Sequence, residues 1–232
     1  MEPKQKKTKQ QNTGLSKINP VEAKTENQKR FFQSYNNYQA LSLSGFAGTG
    51  KSFVALAAAL RSVDNGDYDN VLIIRSAVPS RDMGFMPGTK EEKTAVYESP
   101  YISICNKLYG RGDAYNILKQ KRKLQFTTTS FLRGETFENC VVILDEMQNA
   151  AFSEIYTVLT RIGENCKIIL IGDGHQDDLT SERFKEISGF NEIQKLLDLI
   201  PSCKKIEFDV DDIVRSGFVR ELIIADNQIR GY

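Results

Sequence analysis

Apolar runs recur along the chain at residues 40–44, 71–75, 141–145, 167–172 and 205–208. Most are apolar throughout rather than alternating, the pattern of strands buried on both faces of a parallel sheet. Between several of them the apolar spacing changes to that of a helix. Phe152, Ile155, Val158, Leu159 and Ile162 share one helical face, and so do Ile193, Leu196, Leu197 and Ile200. Residues 27–35 and the Ala- and Leu-rich stretch 53–61 also read as helices. Strand alternating with helix predicts an α/β fold with a doubly wound, mostly parallel sheet, whose ligand lies at the carboxyl ends of the strands.

Two stretches depart from that rhythm. Residues 1–24 are polar, with six lysines against two glutamates, and read as a disordered basic tail. The folded domain is expected over 25–232. Residues 76–138 are long and mixed, and read as an insertion between core strands, the kind of segment that carries function. Within it lie the turn-rich Met83-Gly84-Phe85-Met86-Pro87-Gly88, a helix around 100–109, the basic residues Lys119, Lys121, Arg122 and Lys123, and a β-like run at 124–129.

Composition narrows the class. The chain has 232 residues, enough for one domain, and its formal net charge is +1, so any nucleic-acid surface must be local. Cys105, Cys140, Cys166 and Cys203 are scattered and suggest neither a disulfide framework nor a zinc site. No stretch has the length and apolarity of a membrane span and no leader is recognisable, so a reduced, cytoplasmic setting is expected.

The chemistry is concentrated in Gly45-Phe46-Ala47-Gly48-Thr49-Gly50-Lys51-Ser52, with Phe53 after it. This fits G-x-x-x-x-G-K-[ST] between a strand and a helix, the context the phosphate-cradling loop requires. Its glycines let backbone N–H groups converge on phosphate oxygens, and the helix N-terminus adds positive potential. Lys51 is expected to reach the β- and γ-phosphates and Ser52 to bind Mg2+. Well downstream, Val141-Val142-Ile143-Leu144-Asp145-Glu146 has the form of a buried strand ending in two carboxylates. Asp145 is expected to hold Mg2+ through water, and Glu146 to orient or deprotonate an attacking water. An Asp-Glu pair favours water over a small molecule as phosphate acceptor. A third strand end, Ile171-Gly172-Asp173-Gly174-His175-Gln176, could report on the γ-phosphate; the single His175 reads as a loop residue.

From Asn27 to Ala225 the chain resembles the PhoH family of P-loop ATPases, related to the RecA-like core of superfamily 1 helicases. The matching segments are Asn27-Gln28-Lys29, the P-loop, Arg75, Gly84-Phe85-Met86-Pro87-Gly88, Pro100-Tyr101, Phe131-Leu132-Arg133-Gly134-Glu135-Thr136-Phe137, Asp145-Glu146-Met147-Gln148-Asn149, Leu159-Thr160-Arg161-Ile162-Gly163, Gly172-Asp173 with Gln176, and Asp212-Ile213-Val214-Arg215. The resemblance implies ATP and Mg2+ as ligands, Gln28 as the reader of adenine, and Gln148 and Gln176 as couplers of phosphate state to movement. It implies Arg161 or Arg215 as the arginine that stabilises the transferring charge, and a homo-oligomeric ring, a hexamer, in which a neighbour completes the site.

The chain departs from the family at Ser76, Ser80, Arg81, Gly174-His175 and Ser216. No acid-rich nuclease domain is expected, and the short form resembles those of bacteriophages, which would put it in the host cytoplasm. RNA or single-stranded DNA is the expected client, meeting Lys119, Lys121, Arg122, Lys123 and Arg133, with Tyr109, Tyr115 and Phe126 either stacking on bases or lying in the core. Three activities compete: a nucleic-acid-remodelling ATPase, a slowly hydrolysing switch that binds a protein partner, and a small-molecule kinase.

Overall fold

The computed structural model describes residues 14–76, 90–132, 134, 136–174 and 188–230. Six strands form one all-parallel sheet: β1 (Ala40–Gly45), β2 (Asn70–Arg75), β3 (Leu124–Thr128), β4 (Cys140–Asp145), β5 (Lys167–Ile171) and β6 (Cys203–Phe208), in the order β3-β2-β4-β5-β1-β6. The helices are α1 (Glu26–Tyr35), α2 (Lys51–Asn65), α3 (Lys90–Tyr109), α4 (Ala114–Gln120), α5 (Phe152–Leu159), α6 (Phe190–Leu197) and α7 (Gly217–Arg230).

Every residue of β4 and β5 is buried, which is why both are apolar apart from Asp145 at the end of β4 and Lys167 at the start of β5. Successive side chains serve two cores. Val141, Ile143, Ile169 and Ile171 face the layer holding residues of α1, α2, α3 and α4, while Val142, Leu144, Ile168 and Leu170 face that of α5 and α6. The sheet is doubly wound, as the sequence predicts. The outer strand β6 alternates buried and exposed positions at its end, as an edge with one solvated face should.

Residues 76–138 differ from the separate insertion expected. Their β-like run is β3, an outer strand of the main sheet pairing with β2 from Val71↔Leu124 to Arg75↔Thr128. Tyr101, Cys105 and Leu108 of α3 and Tyr115 and Leu118 of α4 are part of the core. Tyr109 and Tyr115 are buried there and do not offer their rings to bases. Helix α3 also continues through Pro100, whose missing N–H removes one helical bond, while Tyr101, Cys105 and Leu108 beyond it are fully packed.

The polar tail also differs from expectation over 14–24. Leu15, Ile18 and Val21 pack against the core. The Ile18 N–H donates to Asp64 Oδ2 at 3.0 Å and the Asn19 N–H to the Leu108 carbonyl at 2.9 Å. Three apolar residues spaced by three are enough to seat an otherwise polar strap. Met83–Gly88, Arg133, His175 and Gln176 lie outside the described residues.

Candidate nucleotide site

The loop between β1 and α2 is shaped by three glycines at positive φ: Gly45 at 110°, Gly48 at 77° and Gly50 at 83°. Side chains rarely adopt these values. Gly45 has a second reason to be glycine, since a Cβ there would lie 1.9 Å from the Phe208 carbonyl oxygen of β6. The loop is tied down by Phe46 N–H to Phe208 O at 3.2 Å, Val214 N–H to Gly48 O at 3.1 Å and Thr49 Oγ1 to Phe46 O at 2.9 Å.

Lys51 opens α2. Its Nζ donates to the carbonyls of Gly45 (2.6 Å) and Phe46 (2.7 Å), so the ammonium is folded onto its own loop. Burial lowers its pKa, against the opposing fields of Asp173, Asp145 and Glu146. Those three acids mark where the second half of the site stands.

Asp145 ends β4 and is buried; its Oδ1 accepts from the Glu146 N–H at 3.0 Å and its Oδ2 from the Tyr101 hydroxyl at 2.8 Å. Glu146 follows with φ 56°, a left-handed conformation that costs a non-glycine residue of order 1–3 kcal/mol. Its Oε2 accepts from Gln148 Nε2 at 2.6 Å, and Arg75 Nη2 lies 3.7 Å from Oε1. Burial raises the Glu146 pKa, helped by Asp145 and opposed by Arg75, Gln148 and Lys51. A base with a raised pKa suits proton transfer near neutrality.

These groups share an open cleft of about 1010 Å3 at the carboxyl ends of the strands. Lys51, Ser52, Asp145, Glu146, Asp173 and Arg215 line it, with Gln28 and Phe53 on one side and the strap 19–24 closing over α3. A hydroxyl and a carboxylate are hard oxygen donors, and Mg2+ keeps most of its waters and takes phosphate oxygens. Ser52 and Asp145 fit that chemistry. Among the described residues no cluster of three metal-ligating acids, histidines or cysteines occurs that could hold an all-protein metal site.

The remaining expected residues divide. Gln28 is buried beneath the P-loop, and both ends of its amide are engaged by its own chain: Nε2 donates to Thr49 O at 2.9 Å and Oε1 accepts the Lys24 N–H at 2.9 Å. Arg215 lies over the P-loop of its own chain, its Cγ 2.9 Å from where a Cβ on Gly48 would sit. Arg161 follows α5, beside the bridge of Phe137 and Ile162 that precedes β4, and so stands toward the amino edge of the sheet; its Nη1 is buried without a hydrogen-bond partner. Lys121, Arg122 and Lys123 sit just ahead of β3 and Lys119 on α4, and none of the four lines the cleft. Lys119 pairs with Glu98 at 2.9 Å and Lys123 with Asp64 at 3.9 Å, leaving Lys121 and Arg122 exposed.

Three contributors were missed as such from sequence: Tyr101, Arg75 and the strap. Tyr101 and Arg75 stand in family-like segments, but nothing in their spacing joins them to the two acids. Among the described residues no helix is long and apolar enough to cross a membrane.

The family model described as PhoH-like protein matches residues 20–226. Protein PhoH of Escherichia coli (strain K12) is 30% identical over 208 residues, covering 89% of this chain and 58% of its own length. A PhoH-like protein of Bacillus subtilis (strain 168) is 30% identical over 215 residues, covering 92% and 66%. The chain therefore spans roughly three fifths of the curated relatives it matches. Among solved structures, the Sulfolobus solfataricus SWI2/SNF2 ATPase core in complex with dsDNA aligns with a TM-score of 0.47 at 13% identity, over 84% of this chain and 46% of that one. The Pif1 helicase from Candida albicans aligns with a TM-score of 0.33 at 15% identity, over 80% and 39%.

Proposed function

The chain belongs to the PhoH-like protein family, and on that premise we propose that it binds and hydrolyses ATP with Mg2+, in an oligomer that acts on RNA or single-stranded DNA. One observation carries the ATPase reading. A P-loop lysine, a buried strand-end aspartate and a glutamate held in a left-handed turn line the same cleft at the carboxyl edge of a parallel sheet.

The P-loop amides and Lys51 bind the phosphates, which requires the ammonium to leave the Gly45 and Phe46 carbonyls. Ser52, and Asp145 through water, would hold Mg2+, which would supply positive charge beside the phosphates. Glu146 orients the attacking water and receives its proton. Among the described residues, Arg215 is the arginine that lines its own chain's cleft. Gln148 joins the base to the next strand end, because its Oε1 accepts the Asp173 N–H at 3.0 Å. Gln176 is the further coupler we propose.

The oligomer has separate support. Helix α7 exposes Phe218 and Leu222, and α5 exposes the stacked pair Phe152 and Tyr156. Apolar surfaces of this kind favour burial against another subunit, and a hexameric ring is the form we propose. Arg161, remote from its own cleft, is then the arginine a neighbour would contribute. For nucleic acid the support is the exposed pair Lys121 and Arg122 together with the family; it is a local basic surface on a nearly neutral chain.

A second reading is an ATP-dependent switch that turns over slowly. The deciding experiment is ATP hydrolysis by the purified protein, with and without single-stranded RNA or DNA, against Glu146→Gln. Stimulated turnover that the substitution abolishes is the expected result. Tight ATP binding with no turnover under any condition would leave the switch.

A further inference from the structure

From two residues one turn apart, helix α3 touches Asp145 directly and approaches Glu146 through Arg75. Tyr101 is 2% exposed and its hydroxyl donates to Asp145 Oδ2 at 2.8 Å. One turn earlier, the ring of Tyr97 lies under the Arg75 guanidinium, 5.6 Å from its centroid, and Arg75 Nη2 stands 3.7 Å from Glu146 Oε1. Arg75 is also the register partner of Asp145 across β2 and β4. Further along, Pro100, Ser103, Ile104, Lys107 and Leu108 of the same helix line the cleft.

We propose that Tyr101 is a positioning residue for Asp145, and that Tyr97 acts through Arg75 as the corresponding positioning residue for Glu146, so that α3 sets the two carboxylates of the site together. The proposal rests on the ATPase reading and deepens it. The physical argument is geometric. A carboxylate at the end of a strand can rotate about its side-chain torsions, and one hydrogen bond leaves that rotation open. Asp145 has two bonds on different oxygens, the Glu146 N–H on Oδ1 and the Tyr101 hydroxyl on Oδ2. Together they fix the plane of the group and leave lone pairs on both oxygens for ordered waters. A hydroxyl that orients a ligating carboxylate is the outer-shell arrangement whose loss weakens metal binding. Glu146 is steered differently. Its carboxylate lies between Gln148 on Oε2 and the Arg75 guanidinium near Oε1, and the Tyr97 ring limits where that guanidinium can go. Each acid thus has its own tyrosine, and the two effects are separable by experiment.

Tyr101→Phe removes the hydroxyl and keeps the ring that packs 5.7 Å from Phe126. A matched control lies on the same helix. The Tyr109 hydroxyl donates to Asp64 Oδ2 at 3.0 Å, also a buried tyrosine on an aspartate, but outside the cleft. The readout is binding of a fluorescent ATP analogue to the full chain, without metal and across a Mg2+ titration. In Tyr101→Phe the Mg2+ concentration for half-maximal enhancement of binding should rise about tenfold, with metal-free affinity within about twofold of the parent. Tyr109→Phe should leave both unchanged. For Tyr97, replacement by Ala should lower kcat by about tenfold at saturating Mg2+ without moving the Mg2+ midpoint, and Tyr97→Phe, which keeps the ring under Arg75, should restore it. A Tyr101→Phe midpoint equal to the parent's, or an equal shift in Tyr109→Phe, overturns the proposal. Failure of the unsubstituted chain to bind the analogue at all would instead overturn the nucleotide reading of the cleft.

Discussion

Gln148 donates from Nε2 to Glu146 Oε2 at 2.6 Å, so the residue proposed as catalytic base is held by a side chain that also accepts the Asp173 N–H. The amide bridges the ends of β4 and β5, the strand that separates β4 from the P-loop strand β1. Any shift in Asp173 on phosphate binding is thereby felt at Glu146. Gln148→Ala should keep nucleotide affinity within about twofold and lower kcat by about 10- to 100-fold, the range for loss of a group acting on a general base. Glu146→Gln should also keep binding and lose at least about 100-fold in turnover. Equilibrium binding and steady-state hydrolysis of both variants check this; normal turnover in Glu146→Gln would remove that residue from the base role.

Lys51 makes a sharper separation of function from folding. Its ammonium is buried and bonded to neighbouring loop groups, with its pKa lowered first of all by burial. A buried charge contributes little net stability once its desolvation is counted. Lys51→Ala should therefore lose ATP binding by about 100-fold or more, the order expected when a charge-assisted phosphate contact is removed. The thermal midpoint should stay the same or rise. Calorimetric titration and thermal melts read the two outcomes separately, and unchanged nucleotide affinity would contradict the P-loop role.

The P-loop and the β4 acids were legible because their signals are contiguous. Strand β4 is apolar over five consecutive buried positions, and the acids that end it are adjacent in sequence. The elements lost in the reading lack that property. Strand β3 reads as β-like from sequence but not as part of the main sheet, because it lies at the sheet edge and exposes Gln125. Helix α4 has only seven residues, too few to show periodicity, and α7 leaves Phe218, Leu222 and Ile229 exposed. The site's supports were hidden for a different reason. Tyr101 meets Asp145 across a separation of 44 residues, and Gln28 meets Thr49 across 21. Spacing rules reach one turn of helix or one strand pair, and no local pattern encodes such contacts.

The two arginines now carry different expectations. Arg215 lines the cleft of its own chain, while Arg161 does not. In an oligomer that shares sites between neighbours, mixing Arg161→Ala subunits with Lys51→Ala subunits should regain activity, since one kind of mixed interface combines an intact P-loop with an intact Arg161. Mixing Arg215→Ala with Lys51→Ala should regain none, because every cleft lacks one of the two groups. Hydrolysis by the mixtures across a range of ratios decides it. Recovery in the Arg215 mixture would show that this arginine acts across subunits.

Gly45 is where the loop's shape and the sheet's edge meet. At φ 110° and with the Phe208 carbonyl 1.9 Å from a would-be Cβ, it cannot take a side chain without moving β6 away from β1. Gly45→Ala should lose about 3 kcal/mol or more of stability, as backbone strain adds to the clash. Gly66, also at positive φ but with no atom within 4 Å of a Cβ, is the comparison. Gly66→Ala should cost only about 1 kcal/mol, the conformational term alone. Urea midpoints of the two variants check the ranking, and equal losses would mean that the contact with β6 adds nothing.

Alkaline pH should loosen the fold, because several thiols are held neutral by burial. Burial pushes the Cys105 thiol up to about 12 and the Cys203 thiol up to about 11, from 9.0 in the open chain, and raises Cys140, which faces Cys166 at 3.5 Å. A group whose folded pKa is raised keeps its stabilising contribution below the unfolded value and loses it as pH climbs toward the folded one. The window therefore opens near pH 9 and extends to about 12. Lys51 and Lys167 oppose it, since burial lowers both and their cost falls away as pH rises. Three thiols, and the raised hydroxyls of Tyr35, Tyr109 and Tyr115, outweigh two lysines. The urea midpoint should thus fall between pH 8 and pH 10 by the equivalent of about 1 kcal/mol or more, given 1.4 kcal/mol per pH unit for each such group. Cys105→Ala should start from a lower midpoint but decline less steeply over the same range; an identical slope would mean that the Cys105 thiol ionises as freely in the folded chain as in the unfolded one.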